Sequence, residues 1–194
     1  NTAVGQDSLT LTTATNNTAI GAYSGINNTS GTNNVFLGVT SGKFSTTGAQ
    51  NTFLGSFSGQ GIDGVKLTGN NNVAVGFKSG FLLQGAATLN TFVGVDSGVA
   101  VTTGTSNTLI GALAGDAITT GGGNIIIGSS DSAAAGTAHQ IVMGNDVVGV
   151  GQDNFTFGRG SSDSNIAFAA TSITAPSDQR YKEDIATSTA GLSF

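Results

Sequence analysis

The chain has 194 residues, of which 31 are Gly, one is Pro and none is Cys or Trp, and 9% are charged, with a net charge of −5. Gly at about twice its average usage, with almost no Pro and no every-third-residue spacing, excludes a collagen helix. The 38% apolar fraction excludes a solvated disordered chain.

Without Cys there is no disulfide scaffold, thiol catalysis or thiolate metal site. The lone histidine, His139, makes no histidine-cluster centre and reads as a turn or surface residue. No metal and no cofactor are expected. The acidic balance and the lack of a basic stripe argue against nucleic acid as a partner. No apolar run reaches about 18 residues, so no membrane insertion is expected. The chain opens at Asn1 with neither Met nor a leader, which reads as an internal piece of a longer protein.

Self-similarity dominates the rest. A unit of Asn, a β-branched residue, two apolar residues and Gly appears as NTAVG at 1–5, NTAIG at 17–21, NVFLG at 34–38 and NTFLG at 51–55. It returns as NVAVG at 72–76, NTFVG at 90–94, NTLIG at 107–111 and NIIIG at 124–128, with degenerate copies QIVMG at 140–144 and NFTFG at 154–158. The closing glycines are mostly 16 to 18 residues apart. Between units come pairs such as Ser24-Gly25, Ser41-Gly42 and Ser58-Gly59, then Thr-Gly pairs such as Thr47-Gly48. Each unit reads as a short strand, a Gly turn, a second short extended piece and a polar turn. A helix is ruled out by the clustered apolar residues and the frequent Gly.

The expected fold is all-β: a repetitive β-solenoid or β-roll, or an interwoven triple β-helix, built as a parallel homotrimeric fibre. Its rungs are about 4.8 Å apart, so ten of them span about 45–50 Å. The Asn side chains are expected to stack as a ladder. Position three of the unit is apolar in nine of ten copies, with Thr156 the exception, and position four is apolar in all ten. Neighbouring strand residues point to opposite faces, so both faces read as dry, and the second needs cover from another chain or another part of the coil. Phe36, Phe53 and Phe92 read as core. Phe44, Phe57, Phe77 and Phe81 fall in turns or second strands, where an exposed ring would suit contact with a sugar. The longest interval, Gly55 to Gly76, carries GQGIDGVKL and is expected to bulge from the shaft as the place of any receptor contact.

After Gly128 the repeat weakens. We divide the chain into a regular shaft at 1–128, degenerate repeats and a fibre end at 129–175, and a distinct charged segment at 176–194. NIAFAA at 165–170 reads as a last strand. The carboxylates supply no glycosidase pair about 5–10 Å apart, because Asp7 and Asp96 share a slot in units five rungs apart. No calcium-binding nonapeptide pattern occurs.

The run Ser177-Asp178-Gln179-Arg180-Tyr181-Lys182-Glu183-Asp184-Ile185 resembles the opening of the intramolecular chaperone at the C-terminus of phage endosialidases, tail fibres and tailspikes, Ser-Asp-x-Arg-x-Lys-x-x-Ile. It fits at every fixed position. The upstream repeats are also similar to those of tail-fibre-like proteins that end in this chaperone, and more loosely to the β-roll heads of trimeric autotransporter adhesins. The resemblance implies a virion or cell-surface location, a homotrimer, and host attachment through a surface glycan or outer-membrane receptor. It also implies chaperone-assisted trimerisation followed by autoproteolysis, with Ser177 as nucleophile, Lys182 as base and Asp178 flanking the scissile bond. A desolvated Lys with a lowered pKa is able to deprotonate a Ser. The family's chaperone is much longer than the residues following Ser177, so this chain alone is expected to be no enzyme. The alternatives are a bacterial trimeric adhesin, or an ice-binding or glycan-binding solenoid. For ice binding, adjacent Thr pairs such as Thr46-Thr47 make a poor plane, since they face opposite ways.

Overall fold

The computed structural model describes residues 1–131, 135–160 and 162–169. Strands β1 (Thr2–Val4), β2 (Thr18–Ile20), β3 (Val35–Leu37), β4 (Thr52–Leu54), β5 (Val73–Val75), β6 (Thr91–Val93) and β7 (Thr108–Ile110) have three residues each. Strands β8 (Ile125–Asp131), β9 (Ile141–Val148), β10 (Asn154–Arg159) and β11 (Ser162–Ala167) are longer. All eleven form one sheet in chain order. From β1 to β10 the pairing is parallel, like position against like position: Ala19 with Phe36, Phe36 with Phe53, Phe53 with Ala74. One repeat therefore makes one rung, and the described chain is a parallel β-solenoid of about nine turns. Because consecutive strands pair within a single chain, the solenoid is adopted rather than the interwoven helix.

The rung is closed by its Gly. At Gly21, φ is +136°, and an added Cβ would lie 2.5 Å from the Gly38 carbonyl carbon of the next rung. Any side chain at this column would push the stack apart.

The second extended piece expected in each unit does not form. Outside three isolated bridges at Ser45–Leu67, Ile62–Val65 and Leu67–Gly85, the return path is turns and bends. The cause is local. In the second rung Tyr23 and Gly25 sit at φ 59° and 58°, which curls the chain instead of extending it. Rung-to-rung bonding persists all the same: Gly25 N–H donates to Ser41 O at 2.9 Å and Gly42 N–H to Ser58 O at 3.0 Å.

The core lies between the strands and this return wall. Position three points into it, and Ala19, Phe36, Phe53, Ala74, Phe92, Leu109, Ile126 and Val142 are fully buried. Phe36 and Phe53 stack with ring centroids 5.6 Å apart. A methyl added at Gly25 or Gly42 would come 2.5 Å from the Phe36 ring, so those glycines make room for the aromatic column. Leu67, Leu83, Val101 and Ile118 fill the far side of the core.

Two polar ladders bracket the strands. Asn34, Asn51, Asn72, Asn90, Asn107 and Asn124 are fully buried. In each the side-chain oxygen accepts the backbone N–H of the equivalent residue one rung on, as Asn90 Oδ1 does from Asn107 N at 3.0 Å and from Asn107 Nδ2 at 3.1 Å. The amide also donates within the turn, as Asn90 Nδ2 does to Gly104 O at 2.9 Å. At the other end of the strand, hydroxyls reach the next rung's strand carbonyl: Ser24 to Phe36, Ser41 to Phe53, Ser58 to Ala74 and Ser97 to Leu109, at 2.7–2.9 Å. Ala114 occupies this serine slot one rung after Ser97.

The Asn ladder ends at Gln140. Its N–H still donates to Asn124 Oδ1 at 3.0 Å, but its buried side-chain amide atoms have no partner. Beyond it the strands lengthen. The strand expected at 165–170 begins earlier, at Ser162, and runs antiparallel to β10, with Phe155 opposite Ile166. The boundary near residue 175 and the segment 176–194 lie outside the described residues.

These ladders generate two opposite effects on stability. Asn90→Ala removes the acceptor for two Asn107 donors and the donor to Gly104 O, and should lower stability by about 2–5 kcal/mol, since each orphaned buried group costs roughly 1–3 kcal/mol. Ala114→Ser restores the missing hydroxyl opposite the Ile126 carbonyl and should raise stability by up to about 1 kcal/mol. Denaturant midpoints of the two variants against the parent check both signs.

Candidate functional site

Strand alternation that buries position three turns positions two and four outward. Position four forms a column along the whole sheet: Val4, Ile20, Leu37, Leu54, Val75, Val93, Ile110, Ile127, Met143 and Phe157. Ile20, Leu37, Val93, Ile110, Ile127 and Met143 are 37–43% exposed. Position two runs beside it on the same face, with Thr18, Thr52, Thr91 and Thr108 half-buried and Val35 and Ile125 exposed. Within this chain the strands are therefore dry on one flank only. The coil does not fold back over the other flank, because each turn spends its return path covering position three. The strip ends at β10, where the Phe155 and Phe157 rings lie 4.9 Å apart.

The long interval protrudes as expected. Ile62 and Val65 bridge as a tight antiparallel turn, and Asp63, Gly64 and Val65 at its tip are exposed. The loop is tied to the shaft where Leu67 N–H donates to Phe44 O and Thr46 N–H to Leu67 O, both at 3.0 Å. Asp63 and Lys66 form an ion pair at 2.7 Å. The Lys66 hydrogen bond, then its charge, hold the Asp63 carboxyl below its ordinary range.

The loop also carries Lys66 to the Phe44 ring that Lys43 shares, with Lys78 two rungs further along the shaft, a grouping that their sequence positions do not suggest. The only available signal was that a Phe stands beside two of them, in Lys43-Phe44 and Phe77-Lys78. Phe77 is exposed and Phe44, Phe57 and Phe81 are half-buried.

Near the end of the coil, Gly123, Ile125, His139, Ile141, Asp153 and Phe168 line an open cleft of about 360 Å³. His139 is exposed, with φ 55° and Nδ1 3.3 Å from Asp153 Oδ1. Asp7 and Asp96 occupy the same left-handed slot, at φ 53° and 54°, on rungs about 24 Å apart at 4.8 Å per rung. Among the described residues no group of three His, Asp or Glu side chains is placed to hold a metal, and no helix is long and apolar enough to cross a membrane. Ser177, Asp178 and Lys182 lie outside the described residues.

No protein-family model matches the chain, and no curated protein or solved structure matches it. Its uncovered strip and its one inserted loop are the features to explain.

The Asp63 carboxyl supplies a direct check on the loop. Because its pKa is depressed in the folded chain, the ion pair's contribution is present above the ordinary carboxylate pKa of about 3.9 and is lost as pH falls through the lower, folded value. In Lys66→Gln the Asp63 titration followed by NMR should move up toward that ordinary value.

Proposed function

We propose that this chain is a shaft segment of a trimeric surface appendage of the tail-fibre kind, with three copies packing their outer strips around a common axis. The observation that supports this reading is the aliphatic column at position four. An unbroken apolar strip about 45 Å long on one face of a coil is the mark of an association surface. Association around an axis parallel to the stack lets every rung meet its equivalents, so the interface closes without leaving a free edge. The number three comes from the resemblance of Ser177–Ile185 to the chaperone opening. The function follows from stiffness: a stack in which every rung repeats the same bonds gives reach, and its loops are free for contact with a host glycan or receptor.

Light scattering at micromolar concentration should give the mass of three chains. Ile110→Glu, at the middle of the strip, should yield folded single chains with unchanged circular dichroism. A stable, folded single-chain species of the parent protein would overturn the proposal.

The processing step remains part of the same reading. In a gene product that carries the chaperone, the bond beside Ser177 is cut by its hydroxyl with Lys182 as base. Two bands for the parent and one band for each of Ser177→Ala and Lys182→Ala are expected on denaturing gels; cleavage persisting in both variants removes the assignment.

One observation favours a second reading. Thr18, Thr52, Thr91 and Thr108 lie at position two beside the aliphatic column, a regular Thr and aliphatic face of the sort an ice-binding solenoid would present. Thermal hysteresis from single chains would select that reading.

A further inference from the structure

The chain is acidic, yet three of the four basic side chains among the described residues gather on one short stretch of its surface. Lys43 Nζ lies 5.0 Å from the Phe44 ring centroid and 6.0 Å from that of Tyr23. Lys66 Nζ, brought in by the inserted loop, lies 4.5 Å from the same Phe44 ring. Lys78 Nζ lies 5.4 Å from Phe77 and 5.7 Å from Phe81. The two halves stand two rungs apart, joined by the rung between them, where Phe44 N–H donates to Gln60 O at 2.8 Å and Gly61 N–H to Phe81 O at 2.9 Å.

The position of this patch matters as much as its content. Lys43 and Phe44 follow Gly42, whose wall faces β3 across the Phe36 ring. These two residues therefore stand on the side of the coil away from the position-four strip, whereas Phe77 and Lys78 follow directly on Gly76, at the corner two and three residues after Val75.

The chemistry is that of a stacking platform with fixed cations. Aromatic faces hold the ammonium groups in place. Asp63 pairs with Lys66 and its charge also reaches Lys43; among the described residues no carboxylate lies at ion-pair distance from Lys43 or Lys78. The column through Tyr23, Phe57 and Lys78 also carries Asp7 in the first rung and Asp96 one rung past Lys78, so acids flank the positive zone along the axis. A pyranose ring has an apolar C–H face to lay on a phenyl ring, and an acidic sugar adds a carboxylate for an ammonium. A ligand meeting both demands repeatedly along the stack is an extended acidic polysaccharide. Three lysines on an otherwise acidic chain are too few to hold a nucleic acid backbone against its counterions.

The geometry points to an acidic-polysaccharide site formed by Lys43, Lys66 and Lys78 with Phe44, Phe77 and Phe81. It deepens the adhesive part of the reading above and does not require the chains to associate.

The test is affinity electrophoresis of the intact chain through gels containing polygalacturonate, with dextran as the neutral control. Retardation by polygalacturonate alone, weakened by added salt, is expected. Lys43→Gln, Lys66→Gln and Lys78→Gln should each weaken binding about two- to fivefold, the scale of an exposed ion pair, and the triple variant should abolish it. Asp63→Asn frees Lys66 and should strengthen binding, an effect that a merely structural role for the loop would not produce. Equal retardation by dextran, undiminished binding by the triple variant, absence of binding at low salt, or preference for a single-stranded oligonucleotide would each overturn the assignment. Light scattering of the same samples separates the two ideas. Lost retardation with association intact concerns this site alone, and a single-chain species that still binds overturns the fibre and leaves the site.

Discussion

The buried column of asparagine amides is the constraint on which the rest of this molecule depends. An amide taken out of water must find its partners in the protein or destabilise it, and here the partners lie one rung away. Asn72 Oδ1 accepts Asn90 N and Nδ2, while Asn72 Nδ2 donates to Asn51 Oδ1 and Ala87 O. A strand that slipped by one residue would put a β-branched side chain into this slot and strand both amides. Register in a parallel stack of three-residue strands, too short to specify itself by pairing alone, is thereby set by side chains.

The other columns follow from that registration. With Asn buried at position one and Gly required at position five by the close approach of successive carbonyls, only three residues remain to form the strand. Only the middle one points inward. The core is therefore narrow, one side chain per rung from the strand, and it is filled by compensation. Where the first two strands carry the small Ala3 and Ala19, Leu9 takes the slot that is Gly25 in the next unit, and an added Cβ at Gly25 would come 3.0 Å from its Cδ2. Where the strands carry Phe36 and Phe53, the facing slots are Gly. Departures from the ladder coincide with departures from the regular coil. Gln140 is too long for the Asn position and leaves its amide unpaired, and past it the strands lengthen and the last described strand pairs antiparallel.

This division of labour gives the coil two usable sides. The sheet face is flat, repetitive and apolar, which suits contact between identical stacks. The return wall is irregular, and it alone accepts an insertion, because lengthening a turn there leaves the strand register untouched. The four extra residues in the interval ending at Gly76, 21 against the usual 17, are closed off by the bridge of Leu67 to Ser45. They place Lys66 over Phe44 without disturbing β4 or β5. Association is thus assigned to the sheet face, and the Lys43, Phe44 and Lys66 part of the recognition patch to the return wall.

The sequence by itself determined the repeat, the all-β stack, the Asn ladder and the identity of the core column, because each depends on a residue type recurring at a set spacing. It also marked the one interval that had to protrude. Tertiary structure alone decided three things. The return path became turns because residues such as Tyr23, Phe57 and Leu113 adopt left-handed backbone at φ 59–62°, a conformation their side chains do not announce. The flank at position four stayed open because a coil this narrow has no chain left to cover it. Lys43 and Lys66 met over the Phe44 ring, with Lys78 over Phe77 and Phe81 two rungs on, because stacking turns separations of 23 and 12 residues into distances of a rung or two, a proximity that only the folded register creates.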